Sequence, residues 1–264
     1  MPFTNNDGVR LHWEEQGEGT PVLLVMGMRF SSALWYPVIP ALAERHRVVW
    51  YDNRGTGQSD APRRFTLDDL VGDAVAVLDA AGIDRAHAFG VSMGGGVVLE
   101  MALSRRDRVR SIVLGCTALF SAEKPRPTRL KLLLGRLPIP FRLFTTEKAR
   151  LSMYGPAAPR EAVDRDLEVL AVDRYSRPGV VAQAKAVGGY VVTHEAVAAL
   201  DVPTLVQHGT ADTTVPVACG EELAATIPGA RLSLFDGAGH NYLVADAARA
   251  NAEVLAFLDE VDAG

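Results

Sequence analysis

Short apolar runs recur along this chain, and segments with helical periodicity separate them. The runs cover residues 21–26, 46–51, 85–89, 109–114, 203–207 and 231–235. Each is typical of a strand that is buried on both faces of a parallel sheet. The helix-like segments cover residues 34–44, 66–81, 93–104, 217–226 and 245–260. This alternation predicts an α/β fold, with a mostly parallel sheet and helices on both of its faces.

Turn and cap residues mark several ends of these elements. The sequence Asp7-Gly8, preceded by an asparagine, predicts a hairpin between strands near 2–5 and 9–15. Thr66 is a good N-cap for the helix that follows it, and Gly82 is a good stop signal.

Residues 120–195 break this alternation, because they contain no convincing strand between helix-like pieces. Seven prolines divide the stretch, at positions 125, 127, 138, 140, 156, 159 and 178. We interpret it as an α-helical lid inserted above the sheet. The predicted core is then 1–119 with 196–264, and the predicted cap is 120–195. A chain of 264 residues is long enough for one sizeable core of this kind.

Charge and composition exclude several classes of protein. The net charge of −5 disfavours a domain-wide basic surface for nucleic acid. No stretch of about 18 apolar residues predicts a membrane span, and the first residues show no secretory signal. Cys116 and Cys219 do not form a disulfide framework, and neither lies in a cysteine-enzyme signature. We therefore expect two free thiols and a cytoplasmic protein.

Gly90-Val91-Ser92-Met93-Gly94 matches the G-x-S-x-G pattern of a nucleophile elbow. The motif alone is weak, but it lies directly between a predicted strand and a predicted helix. A tight strand-to-helix turn projects the serine hydroxyl above the sheet, and the flanking glycines let strand and helix approach closely. Ser92 is therefore the candidate nucleophile.

A serine nucleophile needs a general base, and the base needs a carboxylate to orient it. Asp212 follows the strand at 203–207, and His240 follows the strand at 231–235. Both positions lie at the carboxyl ends of predicted parallel strands, where sites form in open α/β sheets. Asp236 is a rival acid, although it more readily ends its strand. The other histidines are interpreted as structural: 12, 46, 87, 194 and 208.

Acyl transfer also needs backbone amides that point at the developing oxyanion. The residue after the nucleophile, Met93, supplies one amide in this pattern. The second is expected from the loop Val25-Met-Gly-Met-Arg-Phe30, with Met28 as first choice and Arg29 as second.

Five stretches together resemble the α/β-hydrolase family: VMGMRFSSALW, YDNRGTGQSD, GVSMGGG, HGTADTTVP and GAGHNYL. They span about residues 22–245, so the resemblance covers the core of the chain, and it is nearest to the serine esterase and lactonase branch. It implies an α/β-hydrolase fold with an eight-stranded sheet and a helical lid. One departure is Met26-Gly27, where the family commonly has His-Gly. Asp52 and Arg54, in the second stretch, are expected to hold a loop near the site entrance.

Family members with such a lid bind substrates between it and the sheet. The apolar stretch 130–144 either lines a hydrophobic pocket or only packs the lid onto the core. Residues 121–150 carry eight basic and two acidic side chains, which favour either an anionic ligand or a solvated face. Candidate substrate-binding residues are Arg29, Leu133, Leu137, Phe141 and Tyr242.

The leading hypothesis is hydrolysis of a small, hydrophobic carboxylic ester or lactone through an acyl-serine intermediate. The same catalytic residues would serve a thioesterase, an acyltransferase, a perhydrolase or a carbon–carbon bond hydrolase. A ligand-binding protein that has lost turnover is a third possibility, because fold alone does not determine function. No phosphate loop, dinucleotide fingerprint or metal-ligand cluster is recognisable, so neither a cofactor nor a metal is expected.

Overall fold

The computed structural model describes residues 2–119 and 147–264, apart from the side chain of Lys148. Eight strands form one sheet in the order β1-β2-β4-β3-β5-β6-β7-β8. Only the β1–β2 and β2–β4 pairs are antiparallel. The mostly parallel eight-stranded sheet expected from the sequence is confirmed. The strands are β1 (Phe3–Asn6), β2 (Val9–Gln16), β3 (Pro21–Val25), β4 (Arg47–Tyr51), β5 (Ala86–Val91), β6 (Val109–Gly115), β7 (Thr204–Gly209) and β8 (Arg231–Phe235).

The described helices lie between or after these strands. They are α1 (Ile39–Leu42), α2 (Leu67–Ala80), α3 (Met93–Ser104), α4 (Glu147–Tyr154), α5 (Arg160–Val172), α6 (Arg177–Gly189), α7 (His194–Ala198), α8 (Val217–Thr226), α9 (Tyr242–Ala245) and α10 (Ala247–Ala263). Within residues 2–119, short 3₁₀ turns cover Ser32–Trp35 and Arg106–Arg108. Among the described residues, no helix is both long enough and apolar enough to cross a membrane.

Local signals explain most of these boundaries. Asp7 and Gly8 both have positive φ, at 50° and 83°, which fits the two-residue hairpin turn that joins β1 to β2. Thr66 caps α2 by accepting the amide of Asp69, and the Asp69 carboxylate accepts the amide of Thr66 in return, which completes a capping box.

The single helix expected at 34–44 is wrong. The chain instead forms the 3₁₀ turn Ser32–Trp35 and the one-turn helix α1. Pro37 lies between them, and a proline has no N–H to continue a helical ladder. The closing helix expected at 245–260 is confirmed as α10, which begins two residues later because Asp246 leaves helical geometry and caps the helix by accepting the amide of Arg249.

The sheet has two apolar faces, and helices cover both. One face packs beneath α2 and α3 through residues such as Leu23, Val77 and Val98. The opposite face packs against α1 and α10 through residues such as Leu24, Leu42 and Phe257. Helices α4 to α7 connect β6 to β7, so the part of the predicted insertion that is described is helical.

Candidate active site

Ser92 lies at the turn between β5 and α3, with φ 54° and ψ −118°. This backbone conformation is strained for a residue with a side chain, as expected for a nucleophile elbow. A Cβ on Gly90 would lie 2.2 Å from the carbonyl oxygen of Gly94, and one on Gly94 would lie 2.0 Å from that of Val25. Strand and helix therefore approach so closely that only glycine fits at these two positions.

His240 joins Ser92 to Asp212 in series. Its Nδ1 lies 2.6 Å from Oδ2 of Asp212, and its Nε2 lies 3.0 Å from Oγ of Ser92. When Nδ1–H donates to the carboxylate, Nε2 is free to accept the serine proton, which is the arrangement that nucleophilic catalysis requires. The structure thus brings together three side chains that lie 28 to 148 residues apart.

Asp212 is fixed by the loop that follows β7. Its Oδ1 accepts the backbone amides of Thr214 and Val215, at 2.8 and 2.9 Å. His208 supports the loop by donating from Nε2 to the carbonyl of Val215 at 2.9 Å. Burial alone would raise the pKa of Asp212, but hydrogen bonds from His208 and His240 lower this pKa to about 2. Asp212 is therefore a carboxylate at neutral pH.

Asp236, the rival acid, takes another position. Its side chain is exposed, and its Oδ1 accepts the hydroxyl of Thr210 at 3.2 Å. It supports the turn after β8 and makes no hydrogen bond with His240 among those of the described residues.

Cys116 is a neighbour of His240 that no sequence motif placed in the site. It follows β6 directly, has φ 38°, and contributes to the cavity wall beside Ser92. Burial alone would lower the pKa of the His240 imidazole, but interactions with Cys116 and Asp212 outweigh burial and raise this pKa to about 10. The sequence feature that could have indicated its place in the site is its position at the carboxyl end of a central strand, because sites form at such ends.

The two backbone amides predicted to bind an oxyanion belong to Met93 and Met28. Met93 is the first residue of α3, and its N–H has no partner within that helix. Met28 lies in the loop after β3, next to Gly27, whose Cβ would lie 3.3 Å from that of Ser92. The hydrogen bonds found within 2–119 and 147–264 include none donated by either amide. Arg29, the second choice from sequence, donates its amide to Oε1 of Gln183 at 2.8 Å, so that amide is already occupied.

A cavity of about 560 Å³ opens above Ser92 and His240. Apolar side chains from the core and from helices α5 and α6 make up most of its wall, among them Met26, Leu34, Val91, Leu170, Val180 and Leu243. Among the polar residues that also line it are Arg29, Asp166, Tyr175 and Arg177. A mostly apolar cleft with a few polar groups is typical of a small-molecule site.

The predicted substrate-binding residues have different outcomes. Arg29 lines the cavity, with its guanidinium carbon 4.6 Å from the centre of the Tyr175 ring. Tyr242 also borders the cavity, but it is fully buried and its hydroxyl donates to Oε1 of Gln207 at 3.1 Å. Leu133, Leu137 and Phe141 lie outside the described residues.

The remaining polar motifs of the sequence have structural partners. Asp52 accepts hydrogen bonds from the amide and the hydroxyl of Ser32. Arg54 forms an ion pair with the buried Asp73 at 2.5 Å. Both contacts agree with the expectation that Asp52 and Arg54 hold their loop in place. His12, His46, His87 and His194 each contact a partner away from the cavity. Within the part of the chain described, no group of three potential metal ligands occurs.

Known proteins are similar to this chain over most of its length. A family model described as alpha/beta hydrolase fold matches residues 20–246. A protein assigned as carbamate hydrolase RutD of Azorhizobium caulinodans is 32% identical over 272 residues, covering 99% of this chain and 100% of the relative. The 2-hydroxymuconate semialdehyde hydrolase of Pseudomonas sp. (strain CF600) is 32% identical over 270 residues, covering 97% and 93%. The crystal structure of the enol-lactonase from Burkholderia xenovorans LB400 superposes with a TM-score of 0.83 at 25% identity, covering 98% and 100%.

Proposed function

The chain belongs to the alpha/beta hydrolase fold family and is a hydrolase, and on this premise we propose that it cleaves a carboxylic ester or lactone through an acyl-serine intermediate. The observation that carries the proposal is the hydrogen-bonded series from Asp212 through His240 to Ser92 at the base of an apolar cavity. In this proposal residues 1–119 and 196–264 form the catalytic core, and residues 120–195 form a cap over the cavity.

The proposed reaction begins when His240 Nε2 removes the proton from Ser92 Oγ, which attacks the substrate carbonyl carbon. Amides of Met28 and Met93 stabilise the resulting oxyanion. The imidazolium, oriented by Asp212, then protonates the departing alkoxide, which leaves as the alcohol. Water, deprotonated by His240, attacks the acyl-serine, and collapse of the second oxyanion releases the carboxylic acid and restores the Ser92 hydroxyl.

The names of relatives support two other substrate classes as alternatives. One relative is assigned as a carbamate hydrolase, and another is a semialdehyde hydrolase. We propose carbamate cleavage and carbon–carbon bond hydrolysis as the alternatives to ester or lactone hydrolysis, because each also proceeds through attack on a carbonyl group.

Active-site labelling tests the proposed mechanism. A fluorophosphonate probe is expected to label the wild-type protein at Ser92 and to leave Ser92→Ala unlabelled. A second serine at the surface, Ser104→Ala, serves as the matched control and is expected to label normally. Absence of labelling of the wild type at pH 7 to 10 would favour a ligand-binding protein without turnover.

A substrate panel then distinguishes the classes. It comprises aryl esters, methyl esters, lactones, carbamates and a vinylogous 1,5-diketone, each assayed with wild type and Ser92→Ala. Ester or lactone turnover above that of the other classes supports the proposal, and preferential turnover of the carbamate or the diketone selects the corresponding alternative.

A further inference from the structure

The loop that carries His240 is held from two sides. On the core side, the amide of Ala211 donates to the carbonyl of Ala238 at 2.9 Å. On the opposite side, the end of α4 contacts the same loop through backbone hydrogen bonds. The amide of Gly239 donates to the carbonyl of Tyr154 at 2.8 Å, and that of Asn241 donates to the carbonyl of Met153 at 2.6 Å. The position of the proposed base therefore depends on a segment inserted between β6 and β7.

The two backbones approach so closely at this contact that side chains are excluded. A Cβ on Gly155 would lie 2.2 Å from the carbonyl oxygen of Gly237, and one on Gly239 would lie 2.6 Å from the nitrogen of Gly155. Ser152 adds a side-chain contact, with its hydroxyl 2.7 Å from that of Thr213, next to the proposed acid. The α4 segment thus contacts both loops that carry the partners of Ser92.

Asp166 connects this contact to a second helix of the insertion. It lies on α5 and is 1% exposed. A single oxygen, Oδ2, accepts the hydroxyl of Tyr154 at 2.8 Å and the side-chain amide of Asn241 at 3.2 Å. Tyr36, from the core, also directs its hydroxyl at this carboxyl group. Three elements therefore converge on one buried carboxyl group, and one of its donors is the residue directly after His240.

Such a buried acceptor is costly to lose, because each of its donors would then lack a partner. The members of a buried polar network strengthen one another, so removal of one member weakens the contacts that hold the others. A shift of about 1 Å at a catalytic group can lower the rate by about a hundredfold. Asn241 and His240 are adjacent in the chain, so a displacement of Asn241 changes the separation between the imidazole and Ser92.

We propose that Asp166 is a positioning residue, which fixes Asn241 and thereby holds the His240 imidazole within hydrogen-bonding distance of Ser92 when α4 and α5 lie over the cavity. This inference rests on the proposed function of His240. In this inference the inserted helices do more than enclose the substrate, because they also hold the His240 imidazole in position. Asp166 itself does not contact the reacting atoms in this role.

Steady-state kinetics with an aryl ester tests the inference on the full-length protein. Asp166→Ala and Asn241→Ala are each expected to lower kcat by about 10- to 100-fold, with KM changed less than about threefold. The double variant is expected to be no slower than the slower single variant, since both changes break the same connection. Asp166→Asn, which retains an acceptor oxygen, is expected to recover most of kcat. Asp164→Ala is the matched control, an exposed acid on the same helix, and is expected to resemble wild type.

The position of the imidazole can be measured without turnover. The His240 Nδ1 proton, bonded to Asp212, is expected to give a low-field NMR resonance in wild type, assigned by its loss in His240→Ala. Asp166→Ala is expected to shift or broaden this resonance, and Asp164→Ala to leave it unchanged. This measurement tests the inference even if the wild type proves inactive, so failure of the proposed function and failure of the inference are distinguishable.

Several results would overturn the inference. They are unchanged kcat in both single variants, a change confined to KM, additive losses in the double variant, or an unperturbed His240 resonance in Asp166→Ala. If Asp166→Ala does not fold, Asp166→Asn and Asn241→Ala carry the test, and wild-type kinetics and resonance in Asn241→Ala would be sufficient to reject it.

Discussion

Nδ1 of His87 lies 2.7 Å from the hydroxyl oxygen of Ser111, and Nε2 of the same ring lies 3.0 Å from Oδ1 of Asp262. These groups repeat the serine–histidine–aspartate series of the candidate active site. Ser111 is nevertheless fully buried, and neither His87 nor Ser111 borders the cavity above Ser92. The series joins β5 and β6 to the end of α10, away from that cavity, so we interpret it as a structural contact.

The buried His87 predicts a loss of stability in mild acid. Burial lowers the pKa of His87 to about 4, from 6.5 in its ordinary state, despite attraction from Asp262. The unfolded chain therefore binds this proton at a higher pH than the folded chain. The free energy of unfolding is therefore unaffected by His87 above about pH 6.5. As the pH falls toward about 4, protonation of His87 in the unfolded chain lowers this free energy by up to about 3 kcal/mol. The free energy of unfolding, measured with urea at several pH values, should decline in this way in wild type and less in His87→Gln. Equal pH dependence in the two proteins would contradict the prediction.

Asp212→Asn should lower kcat by about 10⁴-fold, because an amide no longer holds the His240 ring in the tautomer that accepts the serine proton. The measurement is ester hydrolysis at saturating substrate, with far-ultraviolet circular dichroism to verify folding. Asp236→Asn is the matched control and should retain wild-type activity. The reverse result, with Asp236→Asn inactive and Asp212→Asn active, would assign the acid to Asp236.

Cys116→Ala should move the pH dependence of hydrolysis toward lower pH. Interactions with Cys116 contribute to raising the pKa of His240 to about 10, and a general base acts only in its neutral form. Wild-type kcat/KM should therefore rise with pH into the alkaline range, and this rise should occur at lower pH in Cys116→Ala. Cys219→Ala provides the control thiol. Superimposable profiles for wild type and Cys116→Ala would show that Cys116 does not influence the base.

Gln183→Met should lower kcat about tenfold with little change in KM, because an interaction that supports only the oxyanion is lost mainly in the transition state. Gln183 is fully buried on α6 and accepts the amide of Arg29, while its own Nε2 donates to the carbonyl of Arg54 at 3.0 Å. It therefore fixes the loop that carries the Met28 amide. Lys185→Met, an exposed change on the same helix, is the control for kinetics and thermal unfolding. A rise in KM at constant kcat would instead indicate a role in substrate binding.

Periodicity and turn chemistry were sufficient to predict most of the fold. The apolar runs became β3 to β8, and the segments at 93–104 and 217–226 became α3 and α8 with unchanged bounds. The main error, at 34–44, arose because Pro37 outweighs the apolar periodicity around it. The candidate acid and base were predictable for a similar reason, since both follow strands whose carboxyl ends meet at one edge of the sheet.

The sequence by itself determined the elements of the fold and which strand ends carry a hydroxyl, a carboxylate and an imidazole, because those features depend on neighbours along the chain. The tertiary structure alone decided that Cys116 contacts His240, that Gln183 occupies the Arg29 amide, and that Asp166 binds Asn241. The last two contacts join residues 154 and 75 positions apart. Such pairings depend on how helices pack over the sheet, which no local pattern of hydrophobicity or turn residues encodes.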